Sequence, residues 1–327
     1  MDLSTSYAGL TLRNPVIVAA SSLTSNPENV VQCEKFGAAA VVLKSLYEEQ
    51  IIADKGKLDT QDDMYHWYPD AADFIDKHAK EQGLSKYANL VRETKKAVSI
   101  PVIASINCAS PGSWMEYISQ VQEAGADALE LNIFIPPTNP DIYGNDIEKQ
   151  YVEIIESVIK KVQIPITVKI GFYFSNPANM IKQIDQLGVK GMVLFNRFFR
   201  PDVDIDTLRM KTTNVLSDPH EITMVLRWIA LMSGKVNSDL CATTGIHDAD
   251  SIIKHLLCGA STVQMASVLY QKGIEHIQEM LTGIENWMKD KKYENIAAFK
   301  GIMTDLDENK SAFERVHFIK KTLGSIV

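Results

Sequence analysis

One phrase recurs four times along the chain and leaves few folds open. KFGAAAVVLKS begins at Lys35, EAGADALELNI at Glu123, QLGVKGMVLFN at Gln186 and LLCGASTVQMAS at Leu256. Each runs from the end of a helix, through a glycine, into a short apolar strand. Gly37, Gly125, Gly188 and Gly259 fall where a chain leaving a helix turns through the left-handed region, which strains any residue carrying a Cβ. Two more strands, in SIPVIASI from Ser99 and QIPITVKI from Gln163, follow a proline that blocks further helix. VIVAA from Val16 and SDLCATT from Ser238 bring the set to eight. Between them, segments such as NPENVVQCEKF, DIEKQYVEIIESVIKKV and DADSIIKHLLC space their apolar residues near the helical period.

Strands that are apolar along their whole length are buried on both faces, and their alternation with helices implies a parallel sheet joined by right-handed crossovers. Eight such units predict an α/β protein, a (β/α)8 TIM barrel. With 327 residues, 46% of them hydrophobic, the chain is long enough for that one large core. The competing layout, an open doubly wound sheet, normally carries a GxGxxG turn after its first strand. Here AASSLTSNP follows instead. The barrel is expected over residues 1–301, with 302–327 as a C-terminal helical extension ending in SAFERVHFIKKTLGSIV. A long connection from Tyr47 to about Ser85 interrupts the pattern after the second strand, and such connections often serve as lids or binding loops.

The net charge of −8 disfavours a nucleic-acid surface, and no apolar segment approaches the length needed to cross a bilayer. No secretory signal opens the sequence, so a cytoplasmic location is expected. Cys33, Cys108, Cys241 and Cys258 lie too far apart for a CxxC motif and read as reduced, structural thiols.

In a barrel of this kind the active site forms at the C-terminal ends of the strands, so the polar residues that close each apolar run are the ones to collect. They are Ala20, Ser21 and Ser22; Lys44 and Ser45; Ser105 and Asn107; Asn132; Lys169; Asn196 and Arg197; Thr243, Thr244 and Gly245; Ala266 and Ser267. Two lysines among amides and hydroxyls, without a carboxylate at any strand end, suit an electron-rich ligand. A divalent metal would need clustered carboxylates or histidines. TTGIHDAD and MASVLY, after strands seven and eight, put small residues where backbone N–H groups approach a phosphate in such barrels. Blander uses exist for each: a lysine head solvated on a buried stem, an amide satisfying loop backbone, small residues packing a barrel top. None of the seven histidines closes a strand. His247, His255 and His276 read as surface or packing residues, and His66, in DMYHWYPDA, as part of a cover or rim.

Taken in order, NPVIVAASS, VVLKS, ELNIFIPP, ITVKI, VLFNR, VLSDPHEI, ATTGIHDADSIIKHLLCGASTVQMASVLY and MKDKKYENIAAFKG resemble the dihydroorotate dehydrogenase family. These are FMN-dependent (β/α)8 barrels that oxidise dihydroorotate to orotate. The resemblance implies that Ala20 and Ser21 lie under the flavin, that Lys44 stands beside the isoalloxazine and substrate, and that Ser105, Asn132 and Asn196 make polar contacts. It implies Lys169 near flavin N1 and O2, where a positive charge favours the reduced, anionic cofactor. Thr243, Thr244, Gly245, Ala266 and Ser267 match the phosphate loops, although the family usually has glycine at Thr244 and Ala266, and Ser217 falls at the family's small-residue loop after strand six.

Three positions depart from the family. Its proton-abstracting cysteine or serine aligns with Ile135, the next clamp asparagine with Pro137, and its Asn-rich substrate loop with DMYHWYPDA. A general base contributes about two to four orders of magnitude in rate, so dihydroorotate oxidation needs a substitute; Ser45, Cys108, Tyr65 and His66 are the candidates. The expectation is an FMN oxidoreductase acting on a small planar substrate, as a homodimer. The alternatives are a flavin-bearing subunit relaying electrons to a protein partner and a non-flavin phosphosugar barrel.

Overall fold

A computed structural model of the chain describes residues 1–47, 84–108, 115–198, 201–211 and 215–305. It opens with a hairpin, β1 (Thr5–Tyr7) and β2 (Leu10–Leu12), paired antiparallel. Ala8 and Gly9 form its two-residue turn at φ 54 and 79, both positive, the conformation of a type I′ hairpin. The barrel strands then follow: β3 (Val16–Val18), β4 (Ala40–Val42), with a short continuation β5 (Leu46–Tyr47), β6 (Val102–Cys108), β7 (Ala128–Ile133), β8 (Ile166–Ile170) and β9 (Gly191–Leu194). A second hairpin, β10 (Asp202–Asp204) and β11 (Arg209–Lys211), precedes β12 (Asp239–Thr243) and β13 (Thr262–Met265). All barrel pairings are parallel, and β4 on β6 closes the ring of eight. The strands are the eight expected, and all four phrase glycines take positive φ, from 92 to 108.

Helices between the strands cover the outside, among them Pro27–Lys35, Gly144–Ile159, Pro177–Gln186, Ile222–Met232 and Ala249–Leu257. Their starts are written locally: Asn26, Asn176 and Asp248 each accept a hydrogen bond from a first-turn amide. The larger hydrophobic cluster lies between these helices and the strands, and a smaller one fills the barrel interior around Tyr7, Leu12, Ile17, Val42, Ile103 and Val193.

The N-terminal hairpin closes the bottom of the barrel. Tyr7 is fully buried, which contributes about 2–3 kcal/mol for a side chain of this size. A Cβ at Gly191 would stand 2.9 Å from the Tyr7 ring, so β9 begins with glycine because the ring occupies that space. The Ala8 amide donates to Asp239 Oδ2 at 2.9 Å, fixing the plug to β12. With the bottom closed, the barrel opens only where its strands end. The expected extension begins as a short helix, Ile302–Asp305; its remainder, and most of the connection after Tyr47 with Tyr65 and His66, lie outside the described residues. Among the described residues no helix is long and apolar enough to cross a membrane.

Candidate active site

The strand ends surround a cavity of about 500 Å3, a volume ordinary for a small-molecule site. Ala20 and Ser21 reach it from β3, Lys44 and Ser45 after β4, Asn132 from β7, Lys169 from β8, and Asn196 and Arg197 after β9. Thr243, Thr244 and Gly245 line it from β12, Ala266 and Ser267 from β13, and Ser217 from the loop before the helix at Ile222. Ser105 does not line it: its hydroxyl is buried behind Ser45, 2.8 Å away. Tyr87 explains that placement. Its hydroxyl accepts from the Ser105 amide at 2.8 Å and donates to the Ser105 carbonyl at 3.0 Å, filling the gap in the ladder between β4 and β5.

On the β7–β9 side, Asn196 Nδ2 donates to Asn132 Oδ1 at 2.8 Å. Both amides line the cavity, where together they offer donors and acceptors to a polar ring. Arg197 is held by Glu221, with Nε 3.1 Å from Oε2, and by the Val215 carbonyl at 3.0 Å.

On the other side Ser217 ties three loops together. Its amide donates to Ser267 Oγ at 2.9 Å, its hydroxyl accepts from the Gly245 amide at 3.3 Å, and the same hydroxyl is 3.2 Å from His247 Nε2. Burial pushes the His247 pKa down, against the hydrogen bond to Ser217 that raises it. Thr244 and Gly245 have φ 76 and 78. Threonine thus keeps a left-handed turn that glycine would adopt without strain, helped by a 3.3 Å bond from its hydroxyl to the Phe195 carbonyl.

Two buried polar groups on the cavity wall have no partner among the described residues: the Ser21 hydroxyl and Gln264 Oε1. Below them, Gln264 Nε2 donates to Glu130 Oε2 at 2.5 Å. Burial raises the Glu130 pKa, while Lys169 and Gln264 lower it. The strand-end reading missed both residues because they sit two positions before Ala266 and Asn132. The signal was the strand period itself, which sends residue i−2 into the barrel on the same side. The histidines are more buried than surface residues would be: His255 is fully enclosed, with neither nitrogen partnered, and burial pushes its pKa down to about 3.

No acidic side chain lines the cavity among the described residues, whereas Lys44, Lys169 and Arg197 do. Nor does any cluster of three or more His, Cys, Asp or Glu among them suit a metal ion. The site is built for an electron-rich, partly anionic ligand. Ile135 does not line it. Its side chain packs against the outer core, and its amide donates to the Tyr151 hydroxyl at 3.3 Å.

Comparison with known proteins agrees with this architecture. A family model described as dihydroorotate dehydrogenase matches residues 2–288. The catalytic subunit of dihydroorotate dehydrogenase B (NAD(+)) from Thermoplasma acidophilum is 26% identical over 314 residues, covering 92% of this chain and 98% of the relative. Its counterpart from Saccharolobus solfataricus is 26% identical, covering 88% of this chain and 96% of the relative. That from Methanothermobacter thermautotrophicus is 24% identical, covering 93% and 99%. The chain belongs to the dihydroorotate dehydrogenase family.

Proposed function

We propose that this protein is an FMN-dependent oxidoreductase that removes hydride from dihydroorotate or a related small planar substrate. The observation that carries the reading is the convergence of Lys44, Asn132, Lys169 and Asn196 with the loops at Thr243–Gly245 and Ala266–Ser267 around one cavity. The residues present fit FMN: Lys44, Asn132, Lys169 and Asn196 line the cavity with no acidic side chain among the described residues, and the loops tied by Ser217 offer small residues to a phosphate. When bound, FMN supplies the electron sink that none of the protein's side chains provides.

The chain's own residues orient and polarise. Lys169, 7% exposed, holds a positive charge in a poorly hydrated wall, where it acts more strongly than in water. Asn132 and Asn196, bonded to one another, offer their amides to the edge of a ring. Ser217 and His247 lock the phosphate-side loops in advance of binding, which reduces the ordering cost.

Proton removal is the divergent step. Ile135 has no titratable group and lies off the cavity wall. Among the described residues Ser45 is the candidate base that reaches the cavity, bonded to Ser105; the Cys108 side chain, Tyr65 and His66 lie outside them. Anaerobic mixing of FMN-loaded protein with dihydroorotate tests the reading. Bleaching of the flavin supports it, and a flavin that stays oxidised with dihydroorotate and related pyrimidines counts against it.

A second reading is favoured by the relatives named as catalytic subunits: the flavin passes its electrons to a protein partner. Copurification of a stoichiometric redox subunit supports this; a homodimer that turns over alone with a small-molecule acceptor opposes it.

A further inference from the structure

Glu130 is a buried carboxyl for which the proposed reaction has no use. It lies two residues before Asn132 on β7, pointing into the barrel one layer beneath the cavity, and is 1% exposed. Its Oε2 accepts from Gln264 Nε2 at 2.5 Å, and its Oε1 is buried without a hydrogen-bond partner among the described residues. Lys169, from the neighbouring strand β8, is the positive charge that acts on it. Gln264 and Lys169 both line the cavity and Glu130 does not, so the carboxyl reaches a ligand only through them. The other titratable groups that feel its charge are Tyr7, Tyr87 and Cys241, and burial pushes all three pKa values up, keeping them neutral. Asp239, the first residue of β12, acts on Tyr7 and Cys241.

We propose that Glu130 is a positioning residue that acts through Lys169 and Gln264 to set the reduction potential of the cofactor held above them. The inference rests on the FMN reading. An ionised Glu130 offsets the Lys169 charge. With FMN bound, reduction by two electrons and one proton would add negative charge beside Lys169 and weaken its hold on Glu130, whose carboxylate would then take up one further proton from solvent. No bond in the protein breaks. Across the pH range in which this happens, reduction takes up two protons for two electrons rather than one. The potential then falls by about 59 mV per pH unit instead of about 30 mV, at about 29.6 mV per tenfold change for a two-electron couple.

The test is anaerobic dye equilibration of FMN-loaded wild type, Glu130→Gln, Lys169→Met and the double variant across pH. Glu130→Gln is expected to raise the potential on the alkaline side, favouring reduction tenfold or more, and to leave only the one-proton slope. In the Lys169→Met background the same change is expected to have no effect, because a buried carboxyl without its counter-charge is already protonated. Gln264→Leu leaves the carboxyl in place and is expected to move the two-proton window to higher pH. FMN bound with an unchanged potential and slope in Glu130→Gln, or an unmoved window in Gln264→Leu, overturns this inference alone. Failure of wild type to hold FMN overturns the cofactor reading and this inference with it.

Discussion

Replacing Gly245 by alanine separates what the cavity loop demands from what any left-handed glycine demands. Gly245 has φ 78, and a Cβ there would lie 2.6 Å from the Ile222 backbone nitrogen, 2.8 Å from Ile222 Cγ2 and 3.1 Å from the Glu221 carbonyl carbon. Ile222 begins the helix Ile222–Met232, which packs on the core through Val225 and Ile229, so the backbone cannot easily retreat. The left-handed penalty is about 1–2 kcal/mol, and overpacking adds about 1–3 kcal/mol. Gly188 is the control: its φ is 92, but nothing stands within 4 Å of its Cβ position. Alanine there incurs the conformational penalty alone. The gain from a less flexible unfolded chain is shared by both variants and cancels in the difference. Urea unfolding of the cofactor-free proteins is therefore expected to place Gly245→Ala about 1–3 kcal/mol below Gly188→Ala at equal m value. FMN affinity is expected to fall in Gly245→Ala only. Equal stability of the two variants, with FMN retained by both, would refute the steric account of the loop.

Other perturbations follow from the same geometry. Arg197→Met removes the guanidinium partner of the Glu221 carboxylate, whose side chain is 11% exposed and keeps the Asp218 amide as a donor, and should cost about 1–3 kcal/mol; adding Glu221→Gln should recover much of this in a double-mutant cycle. Ile135→Ser, at a position off the cavity wall, is expected to change dihydroorotate turnover by less than about tenfold, well short of what a working base contributes. A thousandfold gain would show that this loop turns into the site. The depressed pKa of His255, about 3, means that the unfolded chain binds a proton below its ordinary pKa of about 6.5 while the folded chain does not. Its contribution to stability is thus full above that pH and is lost as pH falls towards 3, by about 1.4 kcal/mol per pH unit. His255→Leu should flatten that dependence in chemical denaturation and leave stability at neutral pH unchanged or raised.

The frame of the molecule was legible because its signals are local and repeated. Seven of the eight barrel strands are apolar runs with a glycine or proline within three residues before them, and fixed topology then assigns every strand's last polar residue to one mouth. That is why Lys44, Asn132, Lys169, Asn196 and the residues after β12 and β13 line one cavity. The same assumption fails one layer deeper. Reading strands as uniformly apolar hides Glu130 and Gln264, whose interaction depends on two strands distant in sequence. Ser105 ends the correct strand yet faces Ser45, because Tyr87 fixes its backbone from a helix that no strand-end rule includes. The N-terminal plug was missed for another reason. Its strands are three residues long, and the demand for glycine at position 191 arises only when Tyr7 meets it in space. Similarly, His255 looks like an ordinary helical histidine until both of its nitrogens are found enclosed.

Cofactor stoichiometry tests the central claim most directly. The absorption spectrum of the purified protein, followed by identification of what denaturation releases, is predicted to show an oxidised flavin, present as FMN at one per chain, or taken up to that level when FMN is added. A colourless protein that binds no FMN would contradict the account.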